Sequence, residues 1–326
     1  MSTLPDRFTV RAPTIDDLAG IVDLINRCTR ARAGVADYSE SYLRRSWEED
    51  GRDLSTDNWL VVAAEGRLVA YADISEYDPY DVNEFEYYVD PGLVGRGIEE
   101  FLIATAERRV RASIAKAPDG ARVALETFAW ASDEDEQRRL AGLGYAPNRV
   151  WHRMQIDMGD EPPPPPEWPT GIELRAFVPG EEDVVHAAWE DAQRDEWGHP
   201  TLTDAQFRYY FVESEPDFDP TLWFLAVDND TGEMAGYVLG RWERPGEPDC
   251  GQIRYVGVRR HYRRRGVATA LLRHAFREYH RRGKRKVGLA VDAESPTGAD
   301  RLYERAGMRA VQSRVIFEKV LREVGS

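Results

Sequence analysis

Cysteine is nearly absent: Cys28 and Cys250 are the only two in 326 residues, far apart and with no histidine nearby in ligand spacing. That excludes a disulfide scaffold and a structural zinc site, and no metal is expected. No uninterrupted apolar stretch approaches the ~20 residues that a bilayer crossing needs. The N-terminus also lacks the apolar core of a signal peptide, so a cytoplasmic protein without a membrane partner is expected. Basic residues are outnumbered, 43 Lys and Arg against 58 Asp and Glu, for a net charge of -15 at neutral pH. Such a balance disfavours a nucleic-acid coat or an anionic-membrane binder and is compatible with a cationic substrate.

What is present belongs to a folded chain: 42% hydrophobic residues, with 9 Trp, 15 Tyr and 11 Phe. Its length exceeds the usual size of one globular domain, so two are expected, each able to bury its own core. The charge is unevenly placed. From Arg259 to Lys286 there are twelve Arg or Lys against one acid, Glu278, a local +11 that leaves -26 for the remainder. A local anion site inside an acidic protein is the natural reading, with nucleic acid the weaker one.

Proline divides the chain. The segment Glu161 to Pro169, EPPPPPEWP, cannot donate a ladder of backbone hydrogen bonds and reads as a stiff, extended spacer. The expected organisation is a first domain over 1–157, a proline-rich linker over 158–170 and a second domain over 171–326. In the first, alternation and 3.6-residue periodicity predict a strand at Phe8, helices near Ile15 and Ser39, and strands at WLVVAAE, RLVAYADI and NEFEYYVDP. A helix from Ile98 to Ala115, strand RVALETF, a helix from Glu134 to Gly142 and a strand within RVWHRMQI follow. The second domain repeats this order, with its long helix at Val267 to Arg281 and strand KVGLAVD after it. VDPGLVGRGIE at Val89 aligns with VRRHYRRRGVA at Val258, an offset of 169, and LAGLGY at Leu140 aligns with YERAGM at Tyr303, an offset of 163. Two copies of one mixed α/β domain are the fold class expected, with Val287, Leu289 and Val291 on a deeply buried strand.

Tyr255 to Ala268 carries the chemistry. An apolar strand runs into a turn rich in guanidinium groups, and Gly266 opens a helix. Free backbone amides at a helix start, with its positive dipole end and no Cβ at Gly266, make a receptor for a diphosphate. Arg263, Arg264 and Arg265 are expected to add charge-assisted bonds. On chemistry alone, a solvated arginine cluster ahead of an ordinary helix reads equally well.

The run Val258 to Ala268 resembles the coenzyme A signature of the GNAT acyltransferases, with Arg263, Gly266 and Ala268 in its three defining places. SPTGADRLYERAGM, from Ser295 to Met308, resembles the later part of the same site. The whole layout is similar to tandem GNAT proteins of the mycothiol synthase kind. The resemblance implies acetyl-CoA as acyl donor, with the amides of Arg264, Arg265, Gly266, Val267 and Ala268 around its pyrophosphate. It also implies that the strand at Val256, Gly257 and Val258 binds the pantetheine arm, and that Tyr303 protonates the departing thiolate. Ser295 stands where the family often has Asn. Gln252 stands where mycothiol-synthase-like enzymes commonly present a Glu base, and an amide cannot accept a proton as a carboxylate does.

The first copy departs from the signature: Val94 replaces the leading Arg or Gln, Glu99 replaces the final small residue, and Leu140 takes the place of Tyr303. A carboxylate at Glu99 repels a diphosphate, so this copy is expected to be non-catalytic. The expected reaction is direct acetyl transfer to a primary amine of a small metabolite or antibiotic-like compound, without nucleic acid. Asp249 and Glu294 are candidate bases, together with Glu243, Asp292 and Glu86. Asp191 to Leu202 is expected to cover the acceptor pocket, with Trp197 as a wall, Asp195 or Glu196 orienting the amine, and His199 as a loop histidine. Cys250 reads as an incidental buried thiol. A catalytically silent acyl-CoA sensor and a protein-lysine acetyltransferase are the alternatives. Oligomeric state is not legible.

Overall fold

The computed structural model describes residues 3–49, 51–199, 201–215 and 218–325. The first half contributes β1 (Phe8–Arg11), α1 (Leu18–Ala33), α2 (Glu40–Trp47), α3 (Leu54–Asp57), β2 (Asn58–Ala63), β3 (Leu68–Glu76) and β4 (Val82–Val89). It ends with α4 (Ile98–Ser113), β5 (Val123–Trp130), α5 (Glu134–Gly142) and β6 (Ala146–Asp157). The second contributes β7 (Ile172–Ala176), α6 (Glu182–Gln193), α7 (Asp204–Arg208), β8 (Trp223–Asp228), β9 (Met234–Arg241) and β10 (Cys250–Val258). It closes with α8 (Val267–Arg281), β11 (Lys286–Asp292), α9 (Ala299–Arg305) and β12 (Arg309–Arg322). The expected mixed α/β elements are found, in the expected order.

The division of the chain differs from the sequence reading. One compact unit comprises Met1–Val150 with Ser313–Ser326, the other Trp151–Gln312. Each half sends its last strand into the other half's unit. The first unit's sheet runs β1-β2-β3-β4-β5-β12, with Arg314 to Arg322 antiparallel to β5, and Phe317 and Leu321 in its core. The second runs β6-β11-β10-β9-β8-β7, with Trp151 to Asp157 antiparallel to β11 and Met154 in its core.

The proline segment lies within the second unit instead of marking its edge. Pro163 O accepts from Arg277, Glu167 pairs with Arg273, and Trp168 packs on the core beneath α8. The chain there is strapped along a helix and is not a free hinge.

Helix α8 forms because Leu271, Leu272, Ala275, Phe276 and Tyr279 recur at helical spacing and are all buried, while Arg273, Arg277 and Arg281 fall on the other side. Burying each large side chain is worth roughly 1.5–3 kcal/mol, which fixes the helix on one face of the sheet. Val287, Leu289 and Val291 meet it from β11 and are buried as expected. On the opposite face α6, α7 and the helical turn Tyr209–Glu213 after it cover β8 and β9 through Trp189, Phe207, Phe211, Leu225 and Leu239.

Candidate active site

Strands β10 and β11 run parallel only briefly, with Cys250, Gly251 and Gln252 opposite Lys286, Val287 and Gly288. Beyond Gln252 they part. β10 stays with β9 to Val258, past an irregularity between Ile253 and Tyr255, while β11 stays with β6 to Asp292. The edge of β10 that faces the split, from Ile253 to Val258, has no strand partner among the described residues. Backbone groups on such an edge seek another partner, which suits an extended ligand. Val256 and Val258 pack towards α8, and Gly257 admits the Tyr237 hydroxyl, which would lie 2.2 Å from an added Cβ.

The turn after β10 is built by backbone. A 3-10 turn at Arg260–Tyr262 leads into Arg264 at φ +61° and Gly266 at φ +93°, and α8 begins at Val267. The first helical bond here is donated by Ala270 N–H to Gly266 O. The amides before it, including those of Val267 and Ala268, precede the helical ladder at its positive dipole end.

The arginine cluster corrects the sequence reading in part. Arg263 does not send its guanidinium to the turn: Nε donates to Val258 O at 3.2 Å, Nη2 to Ala192 O at 3.0 Å, and Nη1 pairs with Asp195 at 2.8 Å. It ties the end of α6 to the end of β10. Arg260 also binds Asp195, which orients these arginines and is not free for a substrate amine. Arg259 binds Asp191 and Glu233, and Arg282 binds Glu278 and Asp219, so much of the basic stretch is neutralised internally. Arg265 lies over the Tyr262 ring at 5.2 Å, and Arg264 is exposed.

Tyr303 sits on α9 and is buried. Burial, and then the charge of Glu196, push its phenol above the ordinary range, so it stays protonated at neutral pH. Glu196 also accepts from the Ser295 hydroxyl at 3.1 Å, bringing the loop after α6 to the loop after β11. Ser295 therefore ties two loops, while Gly298 holds the N-cap place of α9.

The candidate bases scatter. Asp249 is exposed in the turn at the start of β10, seven residues before Val256, or about 23 Å of extended strand. Glu294 is exposed, and its N–H donates to Asp292. Glu243 pairs with Lys284, and Glu86 accepts from Tyr38 and Tyr88 in the first unit. His199 packs on Trp189 and contacts Glu190, the role of a loop histidine, and Trp197 is exposed. Cys250 is buried, and desolvation raises its thiol, which keeps it protonated.

The first unit repeats the turn with a different filling. Gly95 at φ +75° and Gly97 at φ +86° occupy the places of Arg264 and Gly266. There, however, the fully buried Glu99 carboxylate accepts from Gly95 N–H at 2.9 Å and pairs with Arg139 at 2.7 Å. The chain's own carboxylate occupies the anion cradle. Leu140 is buried in the core where Tyr303 stands in the other unit.

A split sheet that leads into a glycine-capped turn defines an acyltransferase of the GNAT fold, and the repeated backbone makes this chain a tandem one. The chain belongs to the GNAT acetyltransferase family and is an N-acetyltransferase. The profile described as Acetyltransferase (GNAT) family matches residues 182–308. A mycothiol acetyltransferase of Salinispora arenicola is 33% identical over 98% of this chain and 99% of its own. One from Cellulomonas flavigena is 30% identical over 92% of this chain and 85% of its own. Among solved structures, a GCN5-related N-acetyltransferase from Sphaerobacter thermophilus is 40% identical, with a TM-score of 0.83 over 98% of both chains. A tandem GNAT protein from the clavulanic acid biosynthesis pathway, 19% identical, shares the fold at a TM-score of 0.75, over 96% of this chain and 98% of its own.

Proposed function

We propose that the second unit transfers an acetyl group from acetyl-CoA directly to a primary amine of a small molecule. The observation that carries this reading is the meeting, in one unit, of an unpaired strand edge, a left-handed turn with amides ahead of the helical ladder, and a buried protonated tyrosine. The residues fit the donor. The amides of Arg264 to Ala268 suit a pyrophosphate, and Gly266 leaves it backbone to approach. The edge at Val256, Gly257 and Val258 suits the amide-bearing pantetheine arm, as an added strand would be held. Acetyl-CoA, when bound, supplies the activated thioester.

The chain's own residues then have separate tasks. Strand N–H groups near Val256 to Val258 stabilise negative charge on the carbonyl oxygen as the amine adds. Tyr303 donates its phenolic proton to the leaving sulfur, and its raised pKa keeps that proton available. The amine must arrive unprotonated or give up its proton. Glu196, whose charge reaches Tyr303, is the carboxylate we assign to that step in place of Asp249 or Glu294. No covalent enzyme intermediate is needed, in keeping with the protonated, buried Cys250.

The test is CoA release from acetyl-CoA with the full chain across aminoglycosides, polyamines, amino acids and cysteinyl pseudodisaccharides, with mass detection of product. An acetylated amine is expected. Measurable acetyl-CoA binding with silence across the panel overturns small-molecule transfer.

A further inference from the structure

Gly257 is the only residue from Ile253 to Val258, the free edge of β10, that carries no side chain. Val256 and Val258 pack towards α8, so alternation turns position 257 to the α6 face. Tyr255, on that face too, is taken up by Trp189 and Phe211. The opening at Gly257 is filled from β9: Tyr237 lies opposite in register, and its hydroxyl would be 2.2 Å from a Cβ there. Gln193, the last residue of α6, donates from Nε2 to that hydroxyl at 3.1 Å. An amide side chain is thus held, through one phenol, over the strand segment that suits the pantetheine arm.

The bond to Tyr237 decides which end of the amide is free. With Nε2 engaged, Oε1 points away; it accepts from no group among the described residues, and it is not one of the buried unpartnered atoms of this unit. Gln193 is half-buried, so a ligand can reach it, whereas Tyr237 is fully buried. Burial holds the Tyr237 phenol above its ordinary range, and it stays neutral. Glu196 stands one turn further on: its N–H donates to Gln193 O at 2.8 Å, and its carboxylate accepts from Ser295 in the loop after β11. The end of α6 therefore presents a neutral acceptor and a carboxylate together.

A primary amine attacking a thioester aims its lone pair at the carbonyl carbon and turns its two N–H bonds away, so two acceptors hold it in line. One proton is lost as the C–N bond forms and the C–S bond breaks, and a carboxylate can take it. The other N–H remains in the amide product, and a neutral carbonyl oxygen holds it without removing it. A secondary amine has no second N–H to offer.

We infer that Gln193 sets a preference for primary amines: its Oε1 accepts from the N–H that the product keeps, while the other proton goes to Glu196. Tyr237 is a positioning residue that acts through Gln193. The inference deepens the transferase reading above and rests on it.

The experiment compares primary amines with their N-methyl forms by kcat/KM for CoA release. The pairs are putrescine with N,N′-dimethylputrescine, alanine with N-methylalanine, and any further amine that the panel above shows to be acetylated. Gln193→Met keeps the length of the side chain and removes its acceptor oxygen. In this variant the primary-to-secondary ratio is expected to fall at least about fivefold, with the loss confined to the primary amine. Tyr237→Phe keeps the ring over Gly257 but releases the amide, and lowers the ratio in the same direction by about twofold to threefold. Acetyl-CoA affinity, measured by calorimetry, stays within about twofold in both variants, which separates this role from a loss of fold. An unchanged ratio in Gln193→Met, with primary and N-methyl amines losing equally, overturns the inference and leaves the transferase reading standing. Should Gln193→Met bind acetyl-CoA poorly, the same ratio in Tyr237→Phe decides. No acetylation of any primary amine by the wild-type chain overturns both.

Discussion

Tyr303 shows how one side chain is prepared by its surroundings. A phenol at its ordinary pKa is already protonated at neutral pH, and burial together with Glu196 moves it further in that direction. The change of interest is therefore Tyr303→Phe, which keeps the ring in the core and removes only the proton. Turnover is expected to fall by about 10²-fold or more, while acetyl-CoA affinity, measured by calorimetry, changes little. Unchanged turnover would take the acid role from this residue. Tyr303 was legible because it sits in a local motif with Gly307 and Met308. The work of Arg263 was not: its acceptors, Ala192 O and Asp195, lie about seventy residues earlier in the chain, and nothing in a basic run says which guanidinium will be recruited to hold a helix end. From the sequence Glu196 reads only as a carboxylate to orient an amine; its hydrogen bond from Ser295 is made by two loops that only the fold brings together, and its charge is felt at Tyr303.

At the scale of the element, the two cradle turns have the same backbone and opposite electrostatics. Both take positive φ at the third residue and the first residue before the helix, a conformation that costs a non-glycine residue roughly 1–2 kcal/mol. The second unit nevertheless places Arg264 at one of these positions. In the first unit Glu99 satisfies Gly95 N–H internally and is neutralised by Arg139. From the sequence Glu99 is expected to repel a diphosphate; in the fold its carboxylate also takes up the Gly95 N–H of the cradle. Calorimetric titration of the full chain with CoA is therefore expected to give one site per chain. Gly266→Val, which forces a β-branched residue to φ +93°, should remove that site entirely. A second CoA per chain, or a site that survives in the variant, would show that the first turn binds after all.

At the scale of the molecule, the elements of both copies were legible and their allocation was not. Strands reveal themselves by alternation, but alternation in RVIFEKVL is satisfied equally by either sheet, and the proline run suggested a clean cut that the fold does not make. Because Phe317 and Leu321 close the first unit's core and Arg314 to Arg322 pair with β5, the first unit depends on residues at the far end of the sequence. A chain ended at Gln312 leaves β5 as an open edge over an incomplete core, the arrangement that exposes apolar surface and invites association. Hydrogen exchange on that truncated chain is expected to show lost protection in β4 and β5, with dye-detected apolar exposure. Amides of α8, whose core partners all lie in Trp151–Gln312, should keep theirs. Native protection of β5 without Ser313–Ser326 would mean that the exchanged strand is dispensable, and that the first unit is complete within its own half of the sequence.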